Sequence, residues 1–280
     1  MLTKGAIGIF DSGVGGLSVA REIQKQLPNE NILYYADSAY CPYGNKKPDE
    51  IRNRSIKISQ FLLQEGAKML VVACNTASIA GLDTLRQTFP NIPIVGMEPA
   101  VKPAAKATQN GRIGVLATGV TLNGDRFTSL INRYASHIVV INQPCPGLVE
   151  LVESGHLQGP KTTALLKQYL HPLLEQHIDT LVLGCTHYPF LYQAIQDIVG
   201  PNISIIDTGQ AVAKQVQKVL SNHQLLKIKA TPPEDCFYTS GDPIQVKNAI
   251  TILLNKKIIS VQQKDFSYIT KANKYIYTQV

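Results

Sequence analysis

Short apolar runs with strand-like composition alternate along the chain with segments whose apolar residues recur at helical spacing. Four of the runs return later in the same order, the first two at an offset of 106 residues and the last two at an offset of 111. This pattern indicates two copies of one structural unit. The paired runs are IGIFDSG at 7–13 and IGVLATG at 113–119, NILYYA at 31–36 and HIVVIN at 137–142, LVVACNT at 70–76 and LVLGCTH at 181–187, and IPIVG at 92–96 and ISIID at 203–207.

Helical segments lie between these runs. Val19, Ile23 and Leu27 fall on one face of a predicted helix, and a second predicted helix starts at Pro48 and stops at Gly66. Strands that alternate with amphipathic helices form right-handed βαβ units around a parallel sheet covered on both faces. The sequence therefore predicts an α/β fold of two similar doubly wound parallel-sheet domains, related by pseudo-twofold symmetry, with the active site in the cleft between them.

The residues after the second copy have no counterpart in it. A helix is predicted near 210–221 and a strand at 236–239, and a further helix opens with Asp242 as its cap and Pro243 as its first residue. We expect this remainder to pack on the first domain, which would make that domain discontinuous. The predicted divisions are 1–97 plus 208–260 for the first domain, 98–207 for the second, and a basic C-terminal tail at 261–280.

The composition excludes several classes of protein. With 280 residues, of which 44% are hydrophobic, the chain can bury about three quarters of its unfolded surface, so its core needs no disulfide or metal. No apolar run reaches the ~18 residues of a membrane helix, and the amino terminus lacks the pattern of a signal peptide. The five cysteines occur singly, without a CxxC pair, as in a reducing compartment. We expect a cytoplasmic protein that does not engage the membrane.

The formal net charge of +7 is partly concentrated near the carboxyl terminus, where five lysines and one aspartate fall within the last 25 residues. A nucleic-acid or membrane surface is one interpretation of such an excess. Because the lysines are spread out, a solvated tail is the preferred interpretation, and function is expected to require no nucleic acid.

Candidate chemistry lies at the ends of the predicted strands, where parallel sheets bind their ligands and helix amino termini present free N–H groups. Cys74 and Cys185 occupy equivalent positions there in the two copies. The positive end of a helix dipole is expected to lower the pKa of each thiol toward neutrality. The other groups at these strand ends are mostly small and polar; they are Asp11, Ser12, Pro42, Tyr43, Gly44, Asn75, Thr76, Thr118, Thr121, Thr186 and His187.

Two thiols on opposite sides of a bound molecule suit one reaction above others. One thiolate removes a proton from a carbon stereocentre while the other thiol returns a proton to the opposite face, which inverts the centre. Each residue also has a structural explanation. A cysteine at a strand end is most often a small buried hydrophobe, and Asp11, Ser12 and His187 have the residue types of helix caps. Glu153 has the character of a solvated helix residue.

Other chemistries fit the residues less well. DSGVGG followed by Asp37 suggests a dinucleotide site, but Ser18 stands where the third glycine belongs. Cys74, Cys185 and His187 could ligate zinc, but no close pair of cysteines and no fourth ligand supports it. A pyridoxal cofactor needs a lysine at a strand end, and none is there. No metal and no cofactor are expected, and the other three cysteines are interpreted as structural; they are Cys41, Cys145 and Cys236.

Longer motifs add a resemblance to a known family. Residues 5 to about 255 carry IGIFDSGVGGLSV, PYG at 42–44, VACNTAS at 72–78, GCTHYPFL at 184–191 and TSGDP at 239–243, and they resemble the cofactor-independent glutamate racemases of the aspartate/glutamate racemase superfamily. The resemblance implies an isomerase (EC 5.1.1.3) that interconverts L-glutamate and D-glutamate with two cysteines between two α/β domains. It implies a supply of D-glutamate for peptidoglycan, and hence a role in cell-wall biogenesis and cell shape. Oligomeric arrangement varies within the family, and a homodimer is one arrangement to be expected.

The resemblance also assigns roles by position. Cys74 would take the α-proton of D-glutamate and Cys185 that of L-glutamate, assisted by Asp11, Glu153 and His187. The family's serine and tyrosine after Thr121 are Gly124 and Phe127 here, which changes the contacts of that loop. The substrate contacts implied are Asp11, Ser12, Pro42, Tyr43, Gly44, Asn75, Thr76, Thr118, Thr121, Thr186 and His187.

Two alternatives remain open from the residues alone. The first is a racemase of the same superfamily acting on aspartate or another small acid, because two thiols do not by themselves measure the length of a side chain. The second is a non-catalytic α/β protein such as a nucleotide-binding regulator. Incorporation of solvent deuterium at the α-carbon separates the second alternative from a racemase.

Overall fold

The computed structural model describes residues 5–227, 233–256 and 260–266, and these form two parallel sheets flanked by helices. The first half contains β1 (Ala6–Asp11), α1 (Leu17–Gln26), β2 (Ile32–Ala36), α2 (Pro48–Gln64), β3 (Ala67–Val72), α3 (Asn75–Thr88), β4 (Ile94–Val95) and α4 (Val101–Ala107). The second half contains β5 (Arg112–Ala117), α5 (Gly119–Leu122), α6 (Asp125–Tyr134), β6 (Val139–Pro144), α7 (Leu148–Glu153), α8 (Pro160–Glu175), β7 (Thr180–Leu183), α9 (Tyr192–Val199) and β8 (Ser204–Ile206). The remaining elements are α10 (Gly209–Asn222), β9 (Cys236–Thr239), α11 (Pro243–Leu254) and β10 (Gln262–Gln263).

The two sheets repeat one strand order. The first runs β10-β9-β2-β1-β3-β4 and the second runs β6-β5-β7-β8, so β5 lies between β6 and β7 as β1 lies between β2 and β3. The strands paired in the sequence repeat are the strands that correspond in the two sheets. The predicted α/β fold with two parallel sheets is confirmed. This order brings the carboxyl ends of β1 and β3 side by side in one sheet, and those of β5 and β7 in the other.

The local signals read from the sequence match the observed helix ends. α2 begins at Pro48, and Gly66, just beyond its end, adopts a φ of +95°, a backbone conformation that favours glycine. Asp242 caps α11 by accepting hydrogen bonds from the backbone N–H groups of Ile244 and Gln245, with Pro243 as the first helical residue. These caps satisfy N–H groups that the helix leaves without partners.

The carboxyl-terminal elements return to the first sheet. β9 pairs in parallel with β2, and β10 adds an edge strand to β9. Val261 and Phe266 are buried and Phe266 stacks on Tyr35, whereas residues 262–265 are exposed, so two apolar side chains hold this part of the expected tail on the sheet. An apolar side chain that can cover the sheet gains more from burial than from exposure. The rest of the expected basic tail, with Lys271 and Lys274, lies outside the described residues.

One apolar core contains buried side chains from both halves of the chain. The buried residues Ile9 and Leu17 of the first half belong to the same cluster as Leu148, Leu170 and Leu183 of the second. Burial of such side chains stabilises the fold by about 25 cal/mol per Å² of apolar surface. This shared core therefore fixes the two halves relative to each other. No helix in the described part of the chain is both long and apolar enough to cross a membrane.

Candidate active site

The polar residues at the carboxyl ends of the strands meet across the seam between the sheets. The Thr76 hydroxyl, at the start of α3, lies 3.0 Å from the Thr118 hydroxyl, which follows β5. The Thr186 hydroxyl, which follows β7, donates to the Asp11 carboxylate at the end of β1 over 3.3 Å. Side chains from both copies of the repeat therefore line one site.

Cys74 caps α3. Its sulfur accepts a hydrogen bond from the Ala77 N–H over 3.4 Å and lies 3.9 Å from the Ser12 hydroxyl, and only 4% of the residue is exposed. Burial is the largest influence on this thiol and raises its pKa well above the usual range, and the nearby Asp11 carboxylate raises it further. The expectation of a pKa lowered toward neutrality was wrong for Cys74, because loss of water outweighs the hydrogen bond at the helix start.

Cys185 lies against a buried histidine. Its sulfur is 3.6 Å from His187 Nδ1, and His187 Nε2 is 2.6 Å from a carboxylate oxygen of Glu153. Burial alone would lower the pKa of His187, but hydrogen bonding to Cys185, Cys41 and Glu153 raises it well above its usual value. The imidazole is therefore held as a cation between a thiol and a carboxylate. The expected position of Cys185 at a helix start was also wrong, since two residues separate it from the 3₁₀ turn at Tyr188–Leu191 and α9 begins only after that turn.

Asp11 connects the two sides. Its carboxylate accepts hydrogen bonds from the N–H groups of Ser12 and Gly16 over 2.7 and 2.6 Å, and it also contacts Thr186. Burial raises the pKa of Asp11, and the His187 cation opposes that rise. Asp11 therefore anchors the loop before α1 and also lies beside groups from both halves.

A group of hydroxyl and amide side chains completes the site. The Thr121 hydroxyl lies 3.0 Å from that of Thr118 and 3.3 Å from that of Thr76. Asn75 is only 2% exposed, yet neither atom of its side-chain amide has a hydrogen-bond partner among the described residues. Buried amides without partners are uncommon and costly, which makes Asn75 available to a ligand.

The loop at 41–45 closes the same region from the first half. Gly44 packs so closely on Thr118 that an added Cβ would lie 2.8 Å from that side chain. The Tyr43 hydroxyl donates to buried Asp37 over 2.5 Å, so this hydroxyl faces a neighbour within the first half. Pro42 lines two cavities, one of about 440 Å³ with Cys41 and Glu153, and one of about 230 Å³ with Gly44 and Thr118.

Two departures from the family pattern have structural consequences. Phe127 is buried in the core beneath α6 and not in the site. Gly124 precedes α6 where an added Cβ would overlap with the Ile79 side chain. Both positions therefore serve packing in this chain.

Sequence reasoning did not place three residues near the site: it interpreted Cys41 as structural, connected Asp37 only with a dinucleotide site, and did not name Arg54. Cys41 contacts His187, and burial raises its pKa to about 12; no spacing rule connects positions so far apart in the chain. Arg54 and Asp37 form a buried ion pair beside Tyr43. A signal for Arg54 existed, since a charged residue interrupts the apolar face formed by Ile51 and Ile58.

The structure brings together a different set of potential metal ligands from the one considered in the sequence analysis. Within the described ranges, the group that could hold a metal is Cys41, Glu153 and His187. The zinc set weighed from the sequence, Cys74 with Cys185 and His187, does not form such a group there.

Comparisons with known proteins agree with this geometry. The profile of the family described as Asp/Glu/Hydantoin racemase matches residues 7–216. A glutamate racemase of Ectopseudomonas mendocina is 51% identical over 257 residues, which cover 91% of this chain and 97% of that protein. The crystal structure of glutamate racemase isoform RacE1 from Bacillus anthracis superposes with a TM-score of 0.85 at 35% identity, covering 94% of this chain and 99% of that one. A Francisella tularensis glutamate racemase in complex with D-glutamate gives a TM-score of 0.82 at 28% identity, covering 94% and 98% of the two chains.

Proposed function

The chain belongs to the Asp/Glu/hydantoin racemase family, and we propose that it interconverts L-glutamate and D-glutamate with Cys74 and Cys185 as its two proton-transferring thiols. It is an isomerase of the amino-acid racemase class (EC 5.1.1.3), and a role in supplying D-glutamate for peptidoglycan fits its family. The proposal concerns how the residues of this site carry out that reaction.

One observation carries the assignment of the two thiols. Cys74 and Cys185 follow corresponding strands of the two sheets, and negative charge on Cys185 contributes to the raised pKa of Cys74. Asp11 is hydrogen-bonded to the Cys74 side chain and to Thr186, the residue next to Cys185. A glutamate held between the thiols would present its α-hydrogen to one sulfur in the D form and to the other in the L form.

The proton balance follows from this arrangement. For D-glutamate, the Cys74 thiolate would take the α-proton while the Cys185 thiol gives a proton to the opposite face. For L-glutamate the two roles exchange. After either turnover, the thiolate has become a thiol and the thiol has become a thiolate. The two groups must exchange protons with solvent before the same enantiomer can react again.

The raised pKa of Cys74 belongs to the ligand-free site. Bound glutamate brings an ammonium group, and a cation close to a thiol favours the thiolate. On the other side, the His187 cation supplies positive charge beside Cys185, and Glu153 orients His187. Glu153 also accepts a hydrogen bond from the Val14 N–H over 2.7 Å, which fixes the carboxylate in place.

The substrate carboxylates would be held by neutral donors. The Asn75 amide, which has no partner in the described part of the chain, and the hydroxyls near it offer such donors without a full positive charge beside both thiolates. The other contacts are proposed at Ser12, Pro42, Tyr43, Gly44, Thr76, Thr118, Thr121 and Thr186.

The test is to follow each enantiomer in heavy water. Wild-type protein should racemise glutamate and incorporate solvent deuterium at the α-carbon, whereas Cys74→Ser and Cys185→Ser should lose racemisation. Cys236→Ser is the matched control, because this cysteine lies on β9 and outside the site. Wild-type rates in either site variant would refute the two-thiol scheme. Equal turnover of aspartate would refute the assignment to glutamate, and ligand binding without exchange would favour the regulator.

Two coarser properties complete the proposal. We infer that the protein acts in the cytoplasm, where single cysteines such as Cys74 and Cys185 stay reduced. We also propose a homodimer, supported by the apolar side chains of Ile244 and Ile252 that α11 leaves exposed. Light scattering on the purified protein distinguishes the dimer from a monomer.

A further inference from the structure

A cluster beside Cys185 has a second capability. The sulfur of Cys41, a carboxylate oxygen of Glu153 and an imidazole nitrogen of His187 all lie within 4.8 Å of one another. The three residues come from the loop before Pro42, the end of α7 and the loop after β7. In the proposed reaction Glu153 and His187 act beside Cys185, and Cys41 transfers no proton.

The ligand atoms match one class of metal ion. A thiolate, an imidazole and a carboxylate are the ligands of Zn²⁺, with bonds of about 2.3 Å to sulfur and about 2.0–2.2 Å to nitrogen and oxygen. Ligands at these lengths lie about 3–4 Å apart in a tetrahedron, so atoms already within 4.8 Å need only small side-chain movements. Mg²⁺ and Ca²⁺ prefer all-oxygen sites and fit this set poorly.

The cluster is accessible from one side. Cys41 and Glu153 are half-buried and line the cavity of about 440 Å³, whereas His187 is 1% exposed and lies behind them. An ion that enters this cavity therefore meets the thiol and the carboxylate first and the imidazole last. The open side leaves room for a water as the fourth ligand.

We propose that Zn²⁺ binds Cys41, Glu153 and His187 and thereby inhibits the racemase reversibly. Binding displaces the proton of the Cys41 thiol and a proton of the His187 cation to solvent, and the two positive charges of the ion replace them. The ion then takes the place of the direct contact between His187 Nε2 and Glu153, and it holds the ring that lies against the Cys185 sulfur. The inhibition rests on the proposed function, but the binding does not.

The binding test uses Co²⁺ as a spectroscopic substitute for Zn²⁺. Metal-free protein titrated with Co²⁺ should develop a thiolate-to-cobalt charge-transfer band that saturates at one equivalent, and Zn²⁺ should remove it. Cys41→Ser should lose the band and bind Zn²⁺ at least ~10-fold more weakly by calorimetry. This is a lower bound, because changing only a residue that hydrogen-bonds to a metal ligand already weakens metal binding by about 10-fold. Cys236→Ser, which keeps the cluster, should behave as the wild type.

The inhibition test compares each variant with its own zinc-free rate. Zn²⁺ should inhibit the wild type and Cys236→Ser, chelator should restore both, and Cys41→Ser should need at least ~10-fold more Zn²⁺ for the same fractional inhibition. Equal inhibition of Cys41→Ser, or its retention of the cobalt band, would overturn the proposal, because Cys41 would then not be the thiol that binds the metal. Absence of a cobalt band in the wild type would overturn it as well. Cobalt bound through Cys41 in a chain that does not racemise glutamate would refute the proposed function and leave the metal site standing.

Discussion

Replacing Arg54 by methionine should destabilise the protein more than any change at an exposed ion pair. Asp37 is fully buried, and its carboxylate accepts hydrogen bonds from Arg54 Nε at 2.9 Å and Nη2 at 2.5 Å. Its remaining partner is the Tyr43 hydroxyl. The Arg54 guanidinium also lies 3.6 Å from the centre of the Tyr40 ring. Arg54→Met keeps the apolar stem of the side chain and leaves the carboxylate without a counter-charge.

The magnitude follows from that uncompensated charge. Removing one partner of a buried ion pair costs about 3–5 kcal/mol, whereas exposed pairs contribute about 0.2–1 kcal/mol. Urea unfolding monitored by circular dichroism should show this loss in Arg54→Met. Lys25→Met, which breaks the exposed pair with Glu22, should lose less than about 1 kcal/mol.

A double variant tests the cause. Adding Asp37→Asn to Arg54→Met should recover part of the lost free energy of unfolding, because the unpaired charge is removed. A loss below about 1 kcal/mol in Arg54→Met, or no recovery in the double variant, would refute the role given to the buried charge.

Three further predictions concern the site itself. Gly15→Ala should lower kcat/KM in the racemisation assay by about 100-fold with folding intact, because the added methyl would overlap with the His187 ring. The control Gly119→Ala, which has open space around the added methyl, should match the wild type in the same assay. Asn75→Ala should raise the KM for glutamate by about 10-fold or more yet change the free energy of unfolding by less than ~1 kcal/mol, since its amide has no partner to lose within residues 5–227, 233–256 and 260–266. An unchanged KM would contradict this. The alkylation rate of Cys74 by iodoacetamide, followed by mass spectrometry in ligand-free protein, should still rise with pH above pH 9, because burial raises the thiol pKa; a plateau near neutral pH would contradict it.

The proposed zinc site and the proposed reaction both use Glu153 and His187, but they require different protonation states of His187. Glu153 and His187 support Cys185 only while the imidazole carries its proton, and they bind a metal only after that proton has left. Cys41 is a ligand only in the second state, and in the first it only hydrogen-bonds to His187. Changing Cys41 therefore separates the two activities.

The sequence by itself determined the two-sheet architecture and the position of both thiols. Buried parallel strands are short, apolar and nearly continuous, so each of them is visible locally, and their repeat shows that β1 and β5 correspond. Cys74 and Cys185 follow from the same repeat. The caps at Pro48 and Asp242 were predictable because they depend on groups a few residues away.

Only the tertiary structure decided the electrostatics of the site. The pKa of Cys74 depends on how much water the surrounding segments exclude, and the helix start that was visible in the sequence is a smaller influence. The contact of Cys41 with His187 joins loops from different halves, and Phe266 packs on Tyr35 across an even longer stretch of sequence. Local patterns record which side chains prefer burial. Desolvation and long-range pairing are sums over neighbours that only the folded chain brings together.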